Sequence, residues 1–203
     1  MSIKLLLFSD LHCDAAAASR LVQRSQGFDV AVCAGDLANC RRQLSVCVDV
    51  LKGMTCPVVM APGNNESFDE LTKACRGWTS AHVLHGSGIR ICGIEFFGVG
   101  GGIPVTPFGD WSFDFTEDQA ESLLASCPTD GVLVSHSPPK GLLDIASNGR
   151  SLGSTAVRAA MERVTPRLVV CGHIHASAGQ STKFGDTTII NAGPQGMEFE
   201  FAI

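Results

Sequence analysis

A mixed α/β fold is predicted for this chain by three patterns in its sequence. The first third alternates apolar runs with amphipathic stretches in the order β-α-β-α-β, as parallel strands joined by right-handed crossovers do. Residues 82–100 break into short apolar runs punctuated by glycine, which indicates antiparallel pairing and a mixed sheet. Several apolar runs end directly in short polar motifs, and an α/β sheet presents ligands from the loops at the carboxyl ends of its strands.

The elements follow in order. Residues 3–8 form the first strand, and 14–26 a helix with Asp14 as N-cap and Gly27 as its stop. A second strand covers 29–34. Over 41–52, Leu44, Val48 and Leu51 recur at spacings of three and four, which gives a helix with one apolar face. A strand over 57–61 and a short helix over 67–76 come next, then short strands over 82–84, 89–92 and 94–99. Residues 100–114 are rich in glycine and proline and read as an ordered surface loop. Its aromatics Phe108, Trp111 and Phe113 either meet a substrate or pin the loop to the core. Thr116 caps a helix to about 126, with Glu117 and Asp118 in the first turn, where acidic groups favour the positive end of the dipole. A strand over 131–135, a Pro138-Pro139 turn and a polar loop over 142–153 lead to a helix over 155–164 capped by Ser154. Residues 168–171 are the next strand, and 180–201 fold into short strands around a Gly185-Asp186 turn.

At 203 residues and 45% hydrophobic, the chain is expected to bury a sizeable core as one domain over 1–203. Its net charge of -5 gives no chain-wide basic footprint, so no stable nucleic-acid complex is expected. The nine cysteines are scattered and odd in number, without a Cys-x-x-Cys pair, and read as reduced thiols. Cys33 and Cys171 suit strand interiors, whereas Cys13 lies close enough to His12 to approach a site. The first apolar segment meets Asp10 too soon for a secretory signal, and no run is long enough to span a bilayer. A cytoplasmic protein without membrane partners is the expectation.

The polar motifs are Ser9-Asp10-Leu11-His12, Gly35-Asp36, Gly63-Asn64-Asn65-Glu66, Ser135-His136-Ser137-Pro138-Pro139 and Gly172-His173-Ile174-His175. Asp10 and His12 are two residues apart, as are His173 and His175, a spacing that puts both side chains of an extended pair on one side. Gly35 and Gly63 let the backbone turn sharply before Asp36 and Asn64. Imidazole nitrogens mixed with carboxylate and amide oxygens suit divalent transition ions, so Asp10, His12, Asp36, Asn64, His136, His173 and His175 are the candidate ligands. Glu66 either orients a ligand or caps the following helix. His82 and His85 fall in no motif and read as packing or surface residues. Arg150, beside Asn148, lies between two ligand motifs and is a candidate phosphate or base contact, with solvent exposure as the alternative.

In this joint order the motifs resemble those of the calcineurin-like metallophosphoesterase superfamily, from residue 9 to residue 175, with Asn191-Ala192-Gly193-Pro194 as a family-like ending. The small size and the Gly-His-x-His context are most similar to compact bacterial phosphoesterases related to class III cyclic-nucleotide phosphodiesterases, and to animal metallophosphoesterase-domain proteins. The resemblance implies a four-layer α-β-β-α sandwich of two mixed sheets flanked by helices. It also implies a first metal on Asp10, His12 and His175, with Asp36 bridging to a second on Asn64, His136 and His173. Two divalent ions, manganese or iron ahead of zinc, nickel or cobalt, would then activate a hydroxide against a small phosphodiester such as a cyclic nucleotide. A low-selectivity phosphomonoesterase and a weakly active metal-binding interaction module are the alternatives, and a homodimer is compatible with each. One position departs from the pattern: most catalytic members follow Gly-Asn with histidine, and this chain has Asn65. Asp36 and Asn65 are thus the candidate catalytic residues, with Asn65 also a candidate substrate contact. An amide hydrogen-bonds but supplies no proton near neutral pH, so alkyl phosphoesters are expected to turn over slowly and activated aryl esters readily.

Overall fold

Leu5, Leu6, Leu7 and Phe8 are all fully buried, and successive side chains of a strand point to opposite faces, so both faces of their strand need cover. The computed structural model, which describes residues 2–202, provides that cover with two stacked sheets and helices outside each. The first half runs β1 (Ser2–Phe8), α1 (Ala15–Arg24), β2 (Val30–Cys33), α2 (Leu44–Leu51), β3 (Val58–Met60), α3 (Phe68–Ala74), β4 (Ala81–Val83), β5 (Ser87–Ile91) and β6 (Ile94–Val99). The second half runs α4 (Glu117–Leu124), β7 (Val132–Ser135), α5 (Thr155–Val164), β8 (Leu168–Cys171), β9 (Gln180–Phe184), β10 (Thr187–Asn191) and β11 (Met197–Ala202).

One sheet has the order β11-β1-β2-β3-β4 and the other β5-β6-β7-β8-β10-β9. Both are mixed, because β11 pairs antiparallel with β1, β5 with β6, and β9 with β10, while the remaining neighbours are parallel. Alternation then builds the layers. Leu5, Leu7, Val30, Val32 and Val59 meet Phe96, Val132, Val134, Leu168 and Val170 between the sheets. Leu6, Phe8, Ala31 and Cys33 face Leu21, Val48 and Leu71 of α1, α2 and α3. Leu133, Val169 and Cys171 face Leu124, Val157 and Met161 of α4 and α5.

Local capping sets most helix starts as expected. Asp14 accepts from the Ala17 N–H at 2.9 Å, and Ser67 with Glu70 and Thr116 with Gln119 form capping boxes at α3 and α4. Two expectations need correction. Helix α2 begins at Leu44 instead of 41, because Cys40, Arg41 and Gln43 adopt left-handed backbone and no side chain caps the start. Strand β4 does not join an antiparallel hairpin: it pairs parallel with β3 in the first sheet, and the antiparallel partners are β5 and β6. A three-residue strand carries too little pattern to choose its own neighbour. All nine cysteines are free thiols, and no described helix is long and apolar enough to cross a membrane.

Candidate metal centre

Each candidate donor lies just past the carboxyl end of a strand: Asp10 and His12 after β1, Asp36 after β2, Asn64 after β3, His136 after β7, and His173 and His175 after β8. The two sheets put these ends side by side. Backbone bonds lace the turns together, from Asp10 N to Gly35 O at 2.8 Å, His12 N to Asp36 O at 2.9 Å and Gly172 N to His136 O at 3.0 Å. The extended-pair geometry expected for Asp10 and His12 is not what aims them. Asp10, His12, Asp36 and His173 have φ of 57°, 43°, 58° and 64°, so tight left-handed turns swing their side chains inward. Such backbone costs a non-glycine residue about 1 kcal/mol and persists only where surrounding contacts enforce it. Gly35 has the positive φ that favours glycine, at 90°, and a Cβ there would overlap the Gly63 backbone; a Cβ at Gly63 would in turn overlap Asp36.

The donors gather into two adjoining groups. In Asp10, His12 and His175, and again in Asp36, His136 and His173, one potential ligand atom per residue lies within 4.8 Å of the others. His12 Nε2 is 3.1 Å from His175 Nε2, and His175 Nε2 is 3.7 Å from Asp10 Oδ1. Asp36 lies between the groups, with Oδ2 at 3.6 Å from His12 Nε2 and Oδ1 at 3.5 Å from His136 Nε2. Asn64 Oδ1 closes the second group at 3.2 Å from His136 Nε2 and 3.1 Å from His173 Nδ1. Lone-pair donors crowded in this way are satisfied by protons or by cations, and imidazole with carboxylate and amide oxygen suits divalent ions. The donor set fits two such ions. No cysteine belongs to it, since the Cys13 thiol turns to the Arg42 and Gln43 carbonyls.

Around the donors lies a frame of hydrogen bonds. His136 is fully buried and its Nδ1 donates to Ala34 O at 2.7 Å, which leaves Nε2 with its lone pair whenever the ring is neutral. Asn64 Nδ2 donates to Ser112 Oγ at 3.0 Å, and that hydroxyl donates to Asp114 at 2.8 Å, so the amide is held with its oxygen toward the histidines. Ser112 and Asp114 escaped the sequence reading; their only signal was a Ser-x-Asp pair in a glycine- and proline-rich loop. Glu66, buried to 1%, accepts from the N–H groups of Asp36, Ala38 and Gly63. It therefore holds the Asp36 turn, while Ser67 and Glu70 cap α3. Asn65 is 6% exposed and donates from Nδ2 to Asp36 Oδ2 at 2.7 Å, while its Oδ1 accepts from Cys40 N at 2.8 Å.

Charge is tightly linked here. Burial alone would raise the Asp36 carboxyl, but His136 and His12 beside it hold it well below the usual carboxylate range. Burial likewise works against charge on His136, yet Asp36 raises its imidazole to about 9. Burial and the neighbouring His136 push His173 down to about 4. Burial and the Asp36 carboxylate lift Glu66 to about 7. Carboxylate and imidazole charges thus lean on one another across the site, an arrangement that divalent cations would suit.

A cavity of about 540 Å³ is lined by His12, Asp36, Asn64, Asn65, His173 and His175 together with Phe108 and Trp111. Arg150 is exposed and lines a neighbouring cavity of about 560 Å³, which shares Phe108 and His173 with the first. His85 packs among Phe68, Phe113 and Phe115, and burial lowers its pKa.

A calcineurin-like phosphoesterase family model matches residues 3–177. A human metallophosphoesterase domain-containing protein 1 is 30% identical over 138 residues, which are 66% of this chain and 39% of that protein. A UPF0046 protein of Caenorhabditis elegans is 34% identical over 119 residues, 56% of this chain and 38% of that protein. The chain therefore spans about two fifths of these relatives' length. Among solved structures, a Thermus thermophilus protein superposes with a TM-score of 0.77 at 18% identity, over 96% of this chain and 91% of that one. A dimetal phosphatase from Danio rerio gives 0.61 at 14% identity, over 93% and 86%. Identities this low speak to the shared fold.

Proposed function

Because the chain belongs to the calcineurin-like phosphoesterase family, we propose that it is a metal-dependent phosphoesterase acting on small phosphodiesters, cyclic nucleotides among them. The observation that carries this reading is the junction at Asp36, whose two carboxylate oxygens face one imidazole from each donor group. Asp10, His12 and His175 would hold one divalent ion and Asn64, His136 and His173 another, with Asp36 between them. This nitrogen and oxygen donor set accepts manganese or iron, the ions named first from the resemblance, and zinc, nickel or cobalt as well. Such a pair supplies Lewis acidity toward phosphoryl oxygens and makes water a nucleophile near neutral pH.

The chain's own residues do the rest. His136, held through Ala34, and Asn64, held through Ser112, present fixed lone pairs, so little reorganisation would be needed to hold a cation. Asn65 shares its amide between Asp36 and Cys40 and has no proton to release to a leaving oxygen. Departure without that proton is easy for nitrophenolate and hard for an alkoxide.

Manganese-reconstituted protein is expected to hydrolyse bis(4-nitrophenyl) phosphate faster than 4-nitrophenyl phosphate. The reverse order would favour a monoesterase, and turnover of neither in the metal-loaded protein would favour a binding module.

A further inference from the structure

The loop between β6 and α4 carries four aromatic rings with two different fates. Phe113 and Phe115 pack on His85, with centroids 5.4 and 4.9 Å away, and on each other at 4.8 Å. These are the pins. Phe108 and Trp111 instead stack on one another at 5.7 Å with an interplanar angle of 14°, and line the cavity that the donors open into. Phe108 is 50% exposed.

Nor does the loop need those two rings for its shape. Arg41, paired with Glu70, donates to the Trp111 carbonyl at 3.3 Å, and the Phe113 N–H donates to Asn64 O at 2.9 Å. Asp114 accepts from Thr106 N at 2.9 Å, Thr106 Oγ1 at 2.6 Å and Ser112 Oγ at 2.8 Å. A polar scaffold thus presents a pair of near-parallel aromatic rings beside a site for phosphate. Aromatic faces reward flat π-systems over other apolar groups of equal area. Among the described residues no lysine or arginine lines this cavity, and Arg150 stands in the neighbouring one.

We propose that the Phe108–Trp111 stack is the specificity wall of this cavity, and that the substrate carries one flat aromatic group seated on that wall. This rests on the phosphoesterase reading of the same site. The test is calorimetric titration of manganese-loaded protein with phenylphosphonate, cyclohexylphosphonate and methylphosphonate, which share the phosphoryl end and differ in the group offered to the wall. Phenylphosphonate is expected to bind about tenfold tighter than methylphosphonate, the scale of one stacked ring, and more tightly than the cyclohexyl compound. Trp111→Ala and Phe108→Ala should each shrink that margin severalfold. A nucleoside 5′-phosphonate run alongside distinguishes a base from a simple aryl group: tighter binding than phenylphosphonate identifies a base on the wall, and weaker binding a simple aryl group. Equal binding of the three phosphonates, or a phenyl margin that survives both substitutions, overturns the proposal. Turnover of bis(4-nitrophenyl) phosphate by the same preparations judges the hydrolase reading separately: its absence beside an intact phenyl margin would sink that reading and leave the wall standing.

Discussion

Asn65 and Ser112 show how single amides and hydroxyls tune this site. Asn65 ties Asp36 to the Cys40 backbone, at the position where the family resemblance implies an acid–base histidine. In Asn65→His an imidazole with a transferable proton stands there, so the ratio of alkyl to nitrophenyl diester turnover should rise by about 10²-fold, the low end for general acid catalysis. An unchanged ratio in paired assays would show that no proton donor is missing. Ser112 matters through Asn64, whose amide it orients. Ser112→Ala frees that amide to rotate, and calorimetry should find the manganese held through Asn64 about tenfold looser, as for other residues that orient metal ligands. Wild-type affinity in that variant would mean that the hydroxyl orients nothing of consequence. The seven donors were legible as types in sequence, because each closes an apolar run. Their aiming was not, since left-handed turns at Asp10, His12, Asp36 and His173 leave no periodic trace.

Elements depend on how their ends are closed, and α5 shows this across two helices. Glu117, in the first turn of α4, accepts from Ala156 N at 2.8 Å, Thr155 N at 3.0 Å and Ser154 Oγ at 2.7 Å, so it closes the start of α5. Burial alone would raise its carboxyl, yet these donors hold it below the ordinary 4.5. A carboxyl lowered on folding adds stability that is present above its unfolded pKa and lost as pH falls through the folded one. Glu117→Gln should therefore cost about 1 kcal/mol in urea unfolding at pH 7, kept modest by solvent screening, and less near pH 3. An equal cost at both pH values would contradict a charge-dependent cap. The sequence placed Glu117 at the start of α4 but held no sign that it reaches a second helix 37 residues away. The misjudged start of α2 and the parallel pairing of β4 have the same origin: each is decided by tertiary partners rather than by the segment's own pattern.

On the scale of the whole molecule, each donor group straddles the two sheets. Asp10 and His12 come from the β1 end in one sheet and meet His175 from the β8 end in the other; Asp36 from β2 meets His136 and His173 from β7 and β8. The apolar seam between the sheets, built by Leu5, Leu7, Val32, Val134 and Val170, is what brings these ends together. Alternation and strand-ending motifs made a mixed α/β fold readable, whereas the division into two sheets came from the family resemblance of the motifs. The account stands most directly on metal content. Plasma mass spectrometry of manganese-reconstituted, desalted protein should give two ions per chain for the wild type and one or fewer for Asp36→Asn. An empty wild type, or an Asp36→Asn variant that still binds two, would contradict a paired site joined at Asp36.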